Sequence, residues 1–222
     1  MVEISGKYKI GTRRFGSINW IGAWTLYKKE VLRFLIVWIQ TLFSPLITSL
    51  LFLSVLSLAI GNDRGDVLGV PFIVFLAPGL IAMQIIQQAF SHSSSSFMIG
   101  KIQGNIVDLV YAPLSAGEVT LAVTLASVTR SVLIAIISLL VFYLFIDLEI
   151  KNFTTLIAFT LLSAFSLGAL GIIAGLWAEK FDHMATVTNF VIIPLSFLSG
   201  TFYSIERLPE ICLLYTSDAA DE

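Results

Sequence analysis

The chain has 222 residues, 57% of them hydrophobic and only 13% charged, against about 25% charged in an ordinary soluble domain, and its mean hydropathy is +0.91. This excludes a soluble globular protein and predicts an integral membrane protein, in which the formal net charge of −2 says less than the position of each charge. The single cysteine, Cys212, excludes an internal disulfide and a cysteine-based metal site, and no basic cluster with interleaved aromatics points to nucleic acid.

Residues 1–16 are polar and basic, with Lys7, Lys9, Arg13 and Arg14. The first apolar run begins near Leu32, is too long for the core of a signal peptide and is followed by no small-residue cleavage site, so no leader is expected. Ahead of it Trp20, Trp24, Tyr27 and Val31 recur at helical spacing beside Lys28 and Lys29. That composition fits a helix lying in the membrane interface, where aromatic rings sit at headgroup depth and lysines reach phosphates; a cytosolic extension of the first span fits it as well. The first span is expected over about 32–60, longer than the roughly 20 residues a crossing needs, with Pro45 bending it. A polar turn over 61–66 leads to a second span from near Val70. This span contains Ala77-Pro78-Gly79 and fades through Gln84, Gln87, Gln88, Ser91 and His92 into Ser93–Ser96. The glutamines and Ser91 share one helical face, which suits hydrogen bonding between helices and substrate contact equally.

Residues 100–118 form the longest interior stretch that cannot lie within a membrane. Ile99, Ile102, Ile106, Leu109 and Val110 recur at helical spacing opposite Lys101, Gln103, Asn105 and Asp108. The pattern predicts a short amphipathic helix over 98–112, loosened by Gly100 and Gly104 and ended by Ala112-Pro113. Such a helix either docks a cytosolic partner or rests on the bilayer surface, and pattern alone leaves both open. Ser115-x-x-Glu118 matches a capping box that starts the third span at about Ala116. That span covers about 121–145, a turn comes next over 147–152, and a fourth span covers about 153–178. On the fourth span Gly168, Gly171 and Gly175 make a small-residue stripe suited to close helix packing. A charged turn over 177–183 precedes a fifth apolar run, 184–202, containing Pro194 and Gly200.

Arg130 is the one charge well inside a span, at a cost of about 2.5–3.5 kcal/mol on insertion scales. It either lines a translocation path and attracts an anionic headgroup or snorkels to the cytosolic interface. Lys7, Lys9, Arg13, Arg14, Lys28, Lys29, Arg33, Lys101 and Lys180 fall on one side of the spans, and Arg64, Lys151 and Arg207 on the other. The excess puts the amino terminus and residues 100–118 in the cytosol. No Asp or Glu lies inside an expected span, which argues against an ion-coupled carrier. No nucleophile–base–metal cluster suggests a membrane hydrolase, and no phosphate-binding loop is present to power the chain itself.

Three segments in order carry a family resemblance: Leu76-Ala77-Pro78-Gly79-Leu80; Ile106-Val107-Asp108-Leu109-Val110-Tyr111-Ala112-Pro113-Leu114; and residues 194–204, reading PLSFLSGTFYS. Together they resemble the membrane subunit of type-2 ABC transporters, in the bacterial export subgroup related to nodulation-factor and polysaccharide exporters. The resemblance covers about 17–209. It implies an all-α polytopic fold with a connecting helix matched by 17–30, six spans, a coupling helix matched by 98–112, and a re-entrant segment matched by 194–209. Five of the six spans are present, because residues 212–222, CLLYTSDAADE, resemble a translated sequencing adapter and replace the last; a genuine acidic tail is the alternative. The expected organisation is thus a cytosolic terminus with interfacial helix (1–30), a transmembrane domain (31–211) and the tail (212–222).

The function implied is that of an exporter permease working as a homodimer or a paired permease, with a separate ABC ATPase subunit holding the ATP and Mg. No cofactor on this chain and no catalysis by it are expected. Ile102, Gln103, Asn105, Ile106, Asp108, Leu109 and Pro113 fall on the segment that would contact the ATPase, and Arg130, Gln84 and Gln88 are candidates for the path. The implied location is the bacterial inner membrane, in contact with its lipids, with amphipathic or lipid-linked cargo. A channel or scaffold subunit without ATP coupling is the competing reading.

Overall fold

The computed structural model describes residues 18–60, 69–146, 148 and 152–198. Its regular elements are helices: α1 (Trp20–Ile36), α2 (Ser44–Ile60), α3 (Phe72–Ile102), α4 (Ile106–Tyr111), α5 (Ala116–Tyr143), α6 (Phe153–Trp177), α7 (Phe181–Val187) and α8 (Ile193–Leu198), with π-helical turns at Ile39–Phe43 and Thr188–Ile192. Among the described residues four helical stretches are long and apolar enough to cross a membrane: Ile39–Ala59, Phe72–Ile102, Ala116–Tyr143 and Phe153–Trp177. The chain is therefore an all-α polytopic membrane protein. The fifth apolar run is helical from Phe181 to Leu198. The rest of that run, most of the expected re-entrant segment, the turn at 61–66 and the tail at 212–222 lie outside the described residues.

Two boundaries differ from those expected. α1 does not stop near residue 30 but continues to Ile36, because Leu26, Glu30 and Phe34 recur every fourth residue and form one buried face. The break comes at Val37, whose backbone leaves the helical region at φ −104° and ψ 37°. The Thr41 hydroxyl lies 3.0 Å from the carbonyls of both Phe34 and Val37 and covers the end of the helix. The first crossing consequently begins at Ile39 rather than near Leu32. The expected helix over 98–112 is likewise not one unit. Its first residues complete the 31-residue α3, Gly104 turns the chain at φ +75°, a conformation glycine adopts without a Cβ penalty, and α4 comes after it.

Both π turns sit just ahead of a proline. Pro45 and Pro194 are each the second residue of the helix after the wide turn. A proline lacks the N–H that an α-helix would direct to the carbonyl four residues back, so the wider winding falls where the regular ladder is already broken. Pro45, where a bend is expected from the sequence, therefore marks a widened turn.

α3 is the central element and packs along α6 and α5, with α2 beside it. Leu76, Ala77, Leu80, Ile81, Ile85 and Ala89 of α3 meet Leu53, Phe142 and Ala164 from α2, α5 and α6 in one core. About twice the share of α3 and α5 is buried as of α2 and α6, which present more surface to lipid. Lys101 closes the end of α6 by donating to the carbonyls of Leu176 and Ala178, which lack donors of their own at a helix C-terminus.

The α3–α6 contact rests on the glycine stripe. A Cβ at Gly171 would stand 2.6 Å from the Phe90 carbonyl oxygen, and one at Gly175 2.7 Å from that of Ser94. Both obstacles are backbone, so neither turns aside by changing rotamer. Gly171→Ala is expected to destabilise the purified protein by about 1–3 kcal/mol, read as a lower unfolding midpoint in detergent. Gly117→Ala, at a glycine with nothing within 4 Å of the added carbon, is the control, with an expected change within about 0.5 kcal/mol of zero or slightly stabilising. Equal midpoints for the two variants would rule out the close approach.

Candidate functional site

Two regions combine polar side chains with defined geometry: a cavity among α1, α2, α3 and α5, and the loop between α3 and α5. The cavity begins on α1. Glu30 is buried on the Leu26–Phe34 face, and Arg33, one turn later, folds back on it with Nε donating to Glu30 Oε2 at 3.0 Å. The same guanidinium donates from Nη2 to the His92 carbonyl at 3.0 Å and from Nη1 to Ser95 Oγ at 3.4 Å. His92 is fully buried, stands edge-on to Phe34 with ring centroids 5.7 Å apart, and has its Nε2 3.8 Å from Glu30 Oε2. One ion pair thereby fixes α1 against the polar half of α3.

The three path candidates come together at the same cavity. Arg130 on α5 is 9% exposed and donates from Nη2 to Gln88 Oε1 on α3, while its buried Nε has no hydrogen-bond partner. Gln84 is held at both ends: it donates from Nε2 to the Pro45 carbonyl at 3.1 Å and accepts from Ser138 Oγ at 2.8 Å. It thus ties α2, α3 and α5 together. Gln87 donates to Ser196 Oγ of α8 at 3.3 Å. Each glutamine bonds to another helix while lining the cavity. The head of Arg130 is buried against Gln88.

The cavity holds about 820 Å³. Arg33, Gln88, Ser91, His92, Ser95 and Arg130 supply part of its polar lining, with Thr41, Ser44, Thr48 and Ser49 on the α2 side, and Phe34, Phe52, Leu80, Met83 and Phe197 much of its apolar lining. Glu30 balances Arg33, whereas Arg130 has no carboxylate within ion-pair distance among the described residues. Arg33, Glu30 and His92 do not stand out as site residues in the sequence. The available signal is the Glu30-x-x-Arg33 spacing, which puts opposite charges one turn apart on a helix.

In the loop, the capping box is present: Ser115 Oγ accepts from the Glu118 amide at 3.3 Å, and Glu118 Oε2 accepts from the Ser115 amide. The second oxygen, Oε1, accepts from the backbone amide of Asn19 at the start of α1. Asn19 caps α1 by accepting from the Gly22 amide at 3.0 Å, and its Nδ2 donates to the Pro113 carbonyl at 3.2 Å. One carboxylate therefore holds the first turns of two helices and the loop between α4 and α5 in register.

The docking candidates divide accordingly. Ile106 and Leu109 are half-buried and pack with Leu26, Phe97 and Val123. Ile102, Gln103, Asn105, Asp108 and Pro113 are exposed, with Asn105 Nδ2 donating to Gln103 Oε1 at 3.2 Å. Gln103 also lines the cavity. Val110 and Tyr111, outside the set of candidate contacts, are 75% and 84% exposed and make the most prominent apolar feature of the loop.

The profile of the family described as ABC-2 type transporter matches residues 22–216. Among curated proteins, the chain is similar to "Inner membrane transport permease YadH" of Escherichia coli strain K12, with 31% identity over 192 residues, 86% of this chain and 75% of that protein. It is also similar to "Nodulation protein J" of Rhizobium leguminosarum bv. trifolii, 25% identical over 205 residues that cover 87% of this chain and 73% of the other. The corresponding protein of Neorhizobium galegae is 23% identical over 198 residues, 87% and 73% of the two chains. No solved structure matches significantly.

Glu118→Ala removes the carboxylate half of the capping box and strands the amides of Ser115 and Asn19, at an expected cost of about 1–3 kcal/mol. Glu118→Gln keeps one acceptor oxygen and should lose less. Unfolding midpoints in detergent order the three proteins as wild type, glutamine variant, alanine variant; an alanine variant as stable as wild type would show that the carboxylate holds nothing.

Proposed function

The chain belongs to the ABC-2 type transporter family and is a membrane transport permease, a transport subunit rather than an enzyme; on that premise we propose that it is the permease half of a bacterial exporter, driven by a separate ATPase subunit docked on the loop between α3 and α5. The observation that carries the reading is the construction of that loop. Ile106 and Leu109 anchor its inner face to α1 and α5, Glu118 and Asn19 clamp its end, and Val110 and Tyr111 remain bare on the outside beside Gln103, Asn105 and Asp108. An apolar patch rimmed by polar groups fits a protein partner, and its rigid mounting suits passing displacement to the helices behind it.

The distribution of lysines and arginines supports a cytosolic amino terminus and loop, where an ATPase would meet it. The exposed Trp20, Ile21 and Trp24 of α1, next to exposed Lys28 and Lys29, support a helix lying at the membrane interface. Similarity to a permease named for the inner membrane supports that location. A second permease copy or a paired permease completes the assembly, and ATP with its Mg binds the ATPase partner.

Truncating Val110 and Tyr111 together to alanine is expected to weaken ATPase docking by about 2 kcal/mol or more, roughly 30-fold in affinity. Asp108→Arg is expected to lower transport-coupled ATP hydrolysis without lowering the amount of protein in the membrane. Co-purification of the ATPase with the full chain, and ATP hydrolysis by the reconstituted pair, measure both effects. A double variant that retains the ATPase and its stimulation would remove the docking assignment, and a wild-type chain that neither binds nor stimulates its ATPase would favour the channel or scaffold reading.

A further inference from the structure

We propose that the cavity among α1, α2, α3 and α5 is a binding site for an anionic amphiphile, with Arg130 as the cation that receives the headgroup and the apolar wall around Leu80 and Met83 receiving the chain. Charge comes first. Two guanidinium groups line the cavity, and only one carboxylate among the described residues faces them. Glu30 is engaged by Arg33 at 3.0 Å, which leaves Arg130 with the neutral carbonyl oxygen of Gln88 as its acceptor and with Nε unpartnered. A guanidinium inside a membrane span is costly unless an anion or several acceptors meet it, and among the described residues none supplies that charge.

The lining then selects the kind of anion. Along α3 the cavity changes from Leu80 and Met83 to Gln87, Gln88, Ser91 and Ser95; Leu80 and Ser91 are separated by eleven residues of one helix, about 16 Å at 1.5 Å per residue. One end therefore offers hydrogen bonds and positive charge, while the other sets Leu80, Met83 and Phe52 beside uncharged side chains only, Gln84, Thr48 and Ser49. A volume of about 820 Å³ is far larger than a bare inorganic anion and within the range that takes a small amphipathic molecule. Cationic ligands would meet two arginines, and zwitterionic ones would bring a positive group next to Arg130. A phosphate-bearing amphiphile meets both halves of the site. That such a molecule is cargo rests on the permease reading; that it binds does not.

The test uses the full chain in detergent without any ATPase, so that failed coupling and failed binding are separable. Short-chain phosphatidylglycerol, the phosphatidylcholine of equal chain length, and inorganic phosphate are titrated by calorimetry or native mass spectrometry. The glycerol lipid is expected to bind saturably at one per chain and about tenfold or more tighter than the choline lipid, as a charge-assisted contact provides. Arg130→Met should abolish that preference and Arg130→Lys retain part of it. Met83→Trp, which fills the apolar half and leaves the charge, should weaken both lipids. Lys28→Gln with Lys29→Gln should change nothing. Equal affinity for the two lipids, an unaltered preference in Arg130→Met, or loss of the preference in the lysine double variant alone would overturn the site. Inorganic phosphate binding as tightly as the glycerol lipid would overturn the amphiphile in favour of a free-anion site. Should Arg130→Met not fold, unchanged lipid binding in Met83→Trp overturns the proposal and weakened binding supports it.

Discussion

The Glu118 carboxylate is the contact on which the arrangement of the end formed by the starts of α1 and α5 depends. Its oxygens accept from two amides separated by nearly a hundred residues of chain, one starting α5 and the other starting α1. With the origin of α1 fixed, the four-residue recurrence of Leu26, Glu30 and Phe34 decides which side of that helix turns inward. Glu30 and Arg33 then arrive opposite His92 and Ser95 of α3. A capping interaction ordinarily matters for one helix end; here the same group positions an ion pair several turns away.

A chain in hydrocarbon must satisfy its polar groups internally, and α3 shows two ways of doing so on two faces. Toward α6 it allows backbone to approach backbone, because Gly171 and Gly175 carry no side chains in the way. Toward α2, α5 and α8 it carries glutamines whose amides each reach a different helix. The first face is tight, with the small Ser93 and Ser94 against the glycines, and has little capacity to rearrange. The second is held by a few side-chain hydrogen bonds around open volume.

Legibility in the sequence depends on the range of the physics involved. The capping box at Ser115 and Glu118, the glycine stripe of α6 and the long apolar runs are local patterns, and the structure contains each of them. The start of the first crossing is not legible because residues 32–43 are apolar almost throughout, and hydropathy alone does not distinguish the end of α1 from the start of a span. The division of 98–112 is hidden because the hydrophobic repeat of Ile99, Ile102, Ile106 and Leu109 runs through Gly104 unchanged, while the backbone reverses sense there. The partnership of Arg33 with His92 and of Arg130 with Gln88 joins residues 59 and 42 positions apart, and no periodicity in one chain encodes such a pairing.

The wide turn before Pro45 has a bearing on how such a chain tolerates changes of length. A π turn holds about one residue more than an α turn, so it amounts to an insertion absorbed within a helix. Deleting one residue from Ile39–Phe43 would leave an ordinary helix whose segments on either side face nearly as before, whereas deleting one from the regular α2 would rotate what precedes it by about 100°. Gln40 and Thr41 within the turn, and Ser44 and Thr48 after it, all reach the cavity with the extra residue in place. A single-codon loss within that turn therefore spares the wall of the chamber, whereas the same loss inside the regular helix would re-index it.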